Sequence, residues 1–213
     1  MTLARAWLYR LFAAAVVGAA LAGAGAALQG LLRNPLAEPY VLGISSGAGV
    51  GVLLGMALAA WYALPDAVSL PVLAFVGATL TCVIVYLIAQ RHGRLDPYTL
   101  ILAGVIVNAF NGAIMLTIYL YIDPHRIPDF AYWAMGRLPD SIDLHLLAVC
   151  GALVAAAWAV LLGYGPAFDV LGLGDEVATS AGVAVHRLRR VTFICVGVMT
   201  ASAVALAGPI GFL

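Results

Sequence analysis

Lysine is absent from this chain, and charge of either sign is scarce. Only 9% of its 213 residues are charged, against 64% that are hydrophobic. A soluble domain is nearer a quarter charged and half apolar, so that class is excluded. Basic and acidic residues number 10 each, for a formal net charge of +0. A nucleic-acid surface needs a basic excess, so no nucleic-acid partner is expected. Catalytic patterns are missing as well: there is no HExxH, no GxSxG, no P-loop and no pair of carboxylates inside an apolar stretch. His92, His125, His145 and His186 all stand at or beyond the ends of such stretches. Cys82, Cys150 and Cys195 have no CxxC spacing and no metal-ligand neighbour, and read as small buried hydrophobes. No metal site, no cofactor and no enzymatic activity of its own are expected.

Long uncharged stretches are what the chain has in abundance. They cover 11–32, 40–64, 68–90, 97–122, 144–168 and 191–213. About twenty apolar residues cross a hydrocarbon core as a helix, so six spans are expected. A transmembrane barrel would instead show short segments of alternating hydropathy. The reading is all-α: a polytopic transmembrane helical bundle forming one domain over 1–213. Since the first stretch has full membrane length, it does not read as a cleavable leader. Gly47, Gly51 and Gly55 recur every fourth residue, a smooth ridge on which a second helix can pack closely. Gly104, Asn108 and Gly112 repeat that spacing with a polar residue in the middle.

Arginine distribution gives the orientation. The first, third and fifth breaks carry Arg33, Arg91, Arg94, Arg187, Arg189 and Arg190, whereas the other side carries Arg5, Arg10, Arg126 and Arg137. The richer side is placed in the cytoplasm. Arg5 and Arg10 then lie outside with no preceding span to carry them, which suggests a helix missing upstream. The outer break, 123–143, mixes Phe130, Tyr132 and Trp133 with charges and prolines, which suits a short interfacial helix with its aromatic side down.

Two breaks are unusual. The first, 33–39, contains Asn34, Pro35, Leu36, Glu38 and Pro39 and leads into Gly43, Ser45 and Ser46. Irregular backbone at membrane depth is tolerated only where protein covers it or a cavity wets it. This segment is therefore the leading place for function. The last break, 169–190, opens acidic with Asp175 and Glu176 and ends basic with His186, Arg187, Arg189 and Arg190. Acidic residues suit a first helical turn, and Gly182 suits a helix exit. Such a helix would show Val177, Ala178 and Ala181 on one side, an apolar knob that implies a partner. Meanwhile, the six stretches hold no Asp, Glu, Lys or Arg. Ion-coupled carriers keep ionisable groups inside the bundle. Their absence points to an outside source of energy.

The run from Gly18-Ala19-Ala20-Leu21 to Gln29-Gly30-Leu31-Leu32-Arg33-Asn34-Pro35-Leu36-Ala37-Glu38-Pro39, followed by Leu42-Gly43-Ile44-Ser45-Ser46-Gly47-Ala48, closely resembles the FecCD-type permease subunits of ABC importers for iron-siderophores, cobalamin and haem. Leu102-Ala103-Gly104-Val105, Tyr132-Trp133-Ala134-Met135-Gly136, Leu173-Gly174-Asp175-Glu176-Val177-Ala178 and Val204-Ala205-Leu206-Ala207-Gly208-Pro209-Ile210-Gly211-Phe212 carry the same resemblance in order along the chain. It implies the ABC type II importer permease fold, with six spans present of an expected ten. It also implies a multi-pass location in a bacterial inner membrane. The implied partners are a second permease copy, two cytoplasmic ATPase subunits, and a periplasmic or lipoprotein substrate-binding protein, with membrane lipid around the bundle. By match, ATPase coupling falls on Gly174, Asp175, Glu176, Ala178 and Gly182. The pathway and its gates fall on Asn34, Pro35, Leu36, Ser45, Ser46, Pro97 and Tyr98, although Pro97 and Tyr98 depart from the small hydroxylic residues usual there. Arg10 stands where relatives carry a basic residue facing the binding protein. The resemblance also implies that the first helix and the last three of the usual ten are lacking. A faint repeat, Ala19–Gly23 with Val204–Gly208, would mark the start of a second half.

The function so implied is the membrane-spanning subunit of an ATP-driven importer of metal chelates that works by alternating access. The alternatives are a secondary carrier or channel without an ATPase, and a fragment with no activity of its own. A carrier would call for intramembrane charge and no cytoplasmic knob. Co-purification with an ATPase subunit separates the three.

Overall fold

The computed structural model describes residues 3–61, 70–91, 94–138 and 143–210. In these residues the backbone polar groups are satisfied almost wholly within helices, the solution that lipid demands of a spanning chain. Helix α1 (Leu3–Leu32) is a long Ala- and Leu-rich segment. It ends at Arg33, whose φ of 50° is left-handed, and the Asn34 N–H turns back to the Gln29 carbonyl at 3.2 Å. That is the hydrogen bond of a Schellman exit, here made without the usual glycine.

The second apolar run does not start as a span at Tyr40, as its composition suggested. Pro39–Leu42 forms a single 3-10 turn, Gly43 takes φ 75°, and α2 begins only at Ile44, running to Trp61. Proline fixes the entry to the turn, and the left-handed glycine ends it before a new helix can begin. The apolar part of α2, Ile44–Ala59, is short for a crossing. Residues 62–64 and 68–69, assigned above to the second and third runs, lie outside the described residues, as do 211–213 of the sixth.

Helix α3 (Leu70–Ala89) leads into a small antiparallel ribbon, Gln90–Arg91 with Arg94–Leu95. Helix α4 (Pro97–Tyr119) follows, its first turn capped by Asp96, which accepts from the Thr99 N–H at 2.8 Å. After α5 (Ile127–Ala134) comes α6 (Leu144–Gly163), capped by Asp143. The fifth apolar run breaks at Tyr164, and Gly165–Gly172 forms a separate helix, α7, with proline in its first turn. Short α8 (Asp175–Ser180) precedes α9 (Val185–Ala207). The sixth run therefore begins its helix earlier than 191, with His186, Arg187, Arg189 and Arg190 inside its first turns. Charge ends the hydrocarbon-compatible stretch. It does not end the helix.

Among the described residues, five helical segments, Trp7–Leu32, Leu70–Ala89, Pro97–Tyr119, Leu144–Gly163 and Val185–Ala207, are long and apolar enough to cross a membrane. The last is the centre of the bundle: 78% of its most apolar window is buried, against 22–39% for the other four. It packs on α1, α3 and α6. The glycine ridge of α2 meets α3, as its spacing predicts. A Cβ at Gly47 would strike Thr81 and the Gly77 carbonyl, and one at Gly51 would strike the Leu73 carbonyl. Of the second glycine set, Gly104 is pressed against the Val41 carbonyl, whereas Gly112 faces open space.

Candidate functional site

At one end of the bundle the irregular Asn34 segment is built from local hydrogen bonds. The Asn34 side-chain Oδ1 accepts from the Leu36 N–H at 3.0 Å, and its carbonyl accepts from the Ala37 N–H at 3.0 Å. Asparagine before proline suits such a turn, since Pro35 pre-sets φ and the Asn side chain replaces a backbone acceptor. The turn leaves Leu36 85% exposed at its tip. Pro35, Leu36, Ala37 and Tyr40 close one side of a recess of about 460 Å³, opposite Gly18, Ala22 and Gly25 of α1.

Beside this turn lie α7 and α8. They fold with the start of α9 around a separate small core of Leu171, Ala178, Val185 and Leu188. Gly174, at φ 123°, makes the corner before α8, and Gly182, at φ 84°, makes the exit after it. The Val183 N–H donates to the Ala178 carbonyl across that exit at 2.9 Å. One expectation is corrected here. Ala178 does not face outward with Val177 and Ala181; it is fully buried in the small core. The outward apolar surface is instead Leu173, Val177 and Ala181, beside the exposed Glu176.

Asp175 joins these two regions. Its Oδ1 accepts from Arg33 Nη2 at 3.0 Å, and its Oδ2 accepts from Arg189 Nη2 at 2.6 Å. One carboxylate thus holds the residue that ends α1, the first residue of α8 and the second turn of α9. Phe168 of α7 adds an apolar contact, its ring lying 3.1 Å from where a Cβ on Gly30 would be. Arg33 and Arg189 enter the sequence reading only as charges that set the orientation, not as site residues. No local pattern announces a partner 142 residues away.

Ser45 and Ser46 occupy a different place, in the wall of a recess of about 970 Å³ with Asn108, Phe130 and Trp133. Ser46 is partly committed to structure: its hydroxyl donates to the Gly43 carbonyl at 2.8 Å and accepts from Asn111 Nδ2 at 3.1 Å. Asn111 also donates to Thr81 at 3.3 Å, linking α2, α3 and α4 inside the bundle. The signal for Asn111 was present as a polar residue in an apolar run, overshadowed by Asn108 in the glycine pattern. Pro97 and Tyr98 open α4 and line neither recess; Tyr98 is 84% exposed. Arg10 is half-buried, with its guanidinium 5.6 Å from the Trp7 ring. Among the described residues, no group of His, Cys, Asp and Glu could hold a metal ion.

The opposite end is closed by α5. The segment 132–136 meets 207–209: the Arg137 N–H donates to the Ala207 carbonyl at 2.7 Å. Gly136 and Gly208, both at positive φ, lie against Pro209 and Trp133 respectively, too close for any Cβ. Phe130 stacks on Trp133 and meets Tyr119 edge-on.

A helical bundle whose spans enclose recesses and whose one end carries an outward-facing pair of short helices defines a multi-pass membrane protein. The chain belongs to the FecCD transport family, whose model matches residues 1–213. It is similar to the cobalamin import system permease protein BtuC of Halobacterium salinarum, at 40% identity over 96% of this chain and 54% of that protein. It is also similar to the ferric enterobactin transport system permease protein FepD of Escherichia coli, at 36% identity over 96% of this chain and 60% of that protein. Among solved structures, an ABC transporter assigned to the metal-chelate type, in an inward-facing conformation, superposes with a TM-score of 0.82 at 27% identity. That likeness covers 96% of this chain and 64% of that one. The chain thus spans between about half and two thirds of the proteins it matches.

Proposed function

We propose that this chain is membrane-spanning permease machinery of an ATP-driven importer for metal chelates (iron-siderophore, cobalamin or haem) in a bacterial inner membrane. The observation that carries the proposal is the α7–α8 pair. A folded satellite with its own small core presents Leu173, Val177 and Glu176 outward at the arginine-rich end of the bundle. An exposed apolar surface there suits a partner, and an ATPase subunit fits the need for an outside source of energy. The residue stretches 11–32, 70–89, 97–119, 144–163 and 191–207 contain no Asp, Glu, Lys or Arg to bind or relay a coupling ion.

In this reading ATP closure of two ATPase subunits moves α8, and the pathway opens toward a docked binding protein. Hydrolysis reverses the motion and releases the chelate inward. A second copy of the permease completes the pathway. The least-buried span, α4, supports this by turning Leu102, Ile106 and Phe110 outward. Ser45 and Ser46 would line the pathway, the Asn34-Pro35-Leu36 turn and Pro97-Tyr98 would gate it, and Arg10 would face the binding protein. The test is co-purification with an ABC-type ATPase subunit and ATP-dependent uptake of cyanocobalamin and ferric siderophores into proteoliposomes. Glu176→Arg with Val177→Asp should lower ATPase capture at least tenfold while membrane insertion is unchanged. Undiminished capture would sink the coupling assignment.

A further inference from the structure

We infer that Asp175 is a positioning residue that ties the Asn34-Pro35-Leu36 turn to α8, so that the two move as one body. The inference rests on the coupling role proposed for α8 and assigns the route by which its motion leaves it. Three observations carry it. First, the carboxylate divides its two oxygens between guanidiniums from separate elements, Arg33 at 3.0 Å and Arg189 at 2.6 Å. An arrangement shared across three elements fixes their relative positions in a way that one pair cannot. Second, α7, α8 and the start of α9 pack around their own four buried residues, apart from the main core. Such a satellite can shift as a unit, and its attachments decide what shifts with it.

Third, Arg33 is the residue whose left-handed backbone ends α1 and aims the chain into Asn34. A pull on its side chain therefore acts on the first residue of the turn. On the other side, a Cβ at the corner residue Gly174 would lie 3.7 Å from Arg33 Nη1. Phe168 on Gly30 gives the satellite a second hold on α1, one turn above the ionic one. The apolar contact alone would let α7 slide along α1; the ionic contact fixes its position.

The experiment reads this geometry on the full chain in lipid nanodiscs. Leu36→Cys and Ser180→Cys provide exposed sites for paired spin labels, and the native Cys82, Cys150 and Cys195 are buried. The parent should show one narrow label-to-label distance distribution. Arg33→Gln, and separately Asp175→Asn, should at least double its width or add a second population, and Arg33→Lys should restore the single narrow one. Salt at 1 M, where the screening length falls to about 3 Å, should broaden the parent in the same direction. Distributions unchanged in both Arg33→Gln and Asp175→Asn would overturn the inference. Capture of an ATPase subunit tests the underlying coupling role separately: Arg33→Gln should leave capture within twofold of the parent and lower uptake per ATP hydrolysed about tenfold. Unchanged uptake per ATP with broadened distances would equally count against the tie. Loss of the coupling reading would show instead as capture indifferent to Glu176→Arg with Val177→Asp.

Discussion

The two ends of this bundle each carry a short helix, and they are fastened in opposite ways. At the α5 end, backbone meets backbone: Arg137 N–H donates to Ala207, and Gly136 and Gly208 allow contacts that no side chain would permit. At the α8 end, a small apolar cluster and one carboxylate between two arginines do the holding. Backbone interlocks with zero-length side chains have one arrangement. Charged side chains with several rotatable bonds have many, and water competes for each. The α5 end is held by backbone and the α8 end by side chains, which is the contrast the proposed coupling role of α8 needs.

The sharpest way to break this contrast is Gly208→Val. Gly208 has φ 70° and ψ −172°, a region essentially restricted to glycine, and a Cβ would come within 2.5 Å of the Trp133 carbonyl. Backbone strain and overpacking together should cost about 3 kcal/mol, seen as a large fall in thermal stability in detergent. Next in size is Ala178→Asp, which buries a carboxylate in the satellite core and should cost about 2 kcal/mol. Hydrogen exchange should rise over 175–183 and remain unchanged around Trp133, because the α8 end opens by itself. If both ends exchanged faster together, the contrast would fail.

Asn111→Leu removes two interhelical hydrogen bonds among α2, α3 and α4 and should lower stability by about 1 kcal/mol, the average that two such bonds contribute in lipid. Steric trapping or denaturation in mixed micelles would measure it. Ser46 keeps its bond to Gly43, so the loss should stay at that size. The smallest effect is expected from Arg137→Gln. It removes an exposed guanidinium 5.9 Å from the Tyr132 ring, worth about 0.5 kcal/mol, and leaves the backbone bond to Ala207 intact. A loss of several kcal/mol there would mean that the α5 end depends on charge after all.

Much of this was legible in the residues, for a physical reason. Lipid forces helices on long apolar runs, so the spans announce themselves by composition alone. The α8 segment was readable because a helix start favours Asp175 and Glu176, and because Gly182 can take the left-handed exit. The side of α8 that is buried was not readable: Val177 and Ala178 are both apolar, and only the neighbouring Leu171 and Leu188 decide which one turns inward. The ends of apolar runs misled for a similar reason. Tyr40 is apolar enough for a span, yet Pro39 and Gly43 place it in a separate turn; Arg187 and Arg189 are charged, yet they belong to α9. Asp175 could be recognised as a helix-start residue, but its meeting with Arg33 and Arg189 depends on how α1, α8 and α9 assemble.

The burial of α9 has a consequence for how the chain is made. Of the five spans it is the least apolar, it begins with four basic or imidazole side chains, and it is the most deeply buried against the other helices. A helix enters and stays in a bilayer on its own account only so far as its side chains prefer hydrocarbon to water. This one is satisfied mainly by α1, α3 and α6, all of which precede it in the chain. Its membrane integration is therefore conditional on theirs: the ribosome delivers the central strut after α1, α3 and α6, into a socket that these earlier helices have already formed.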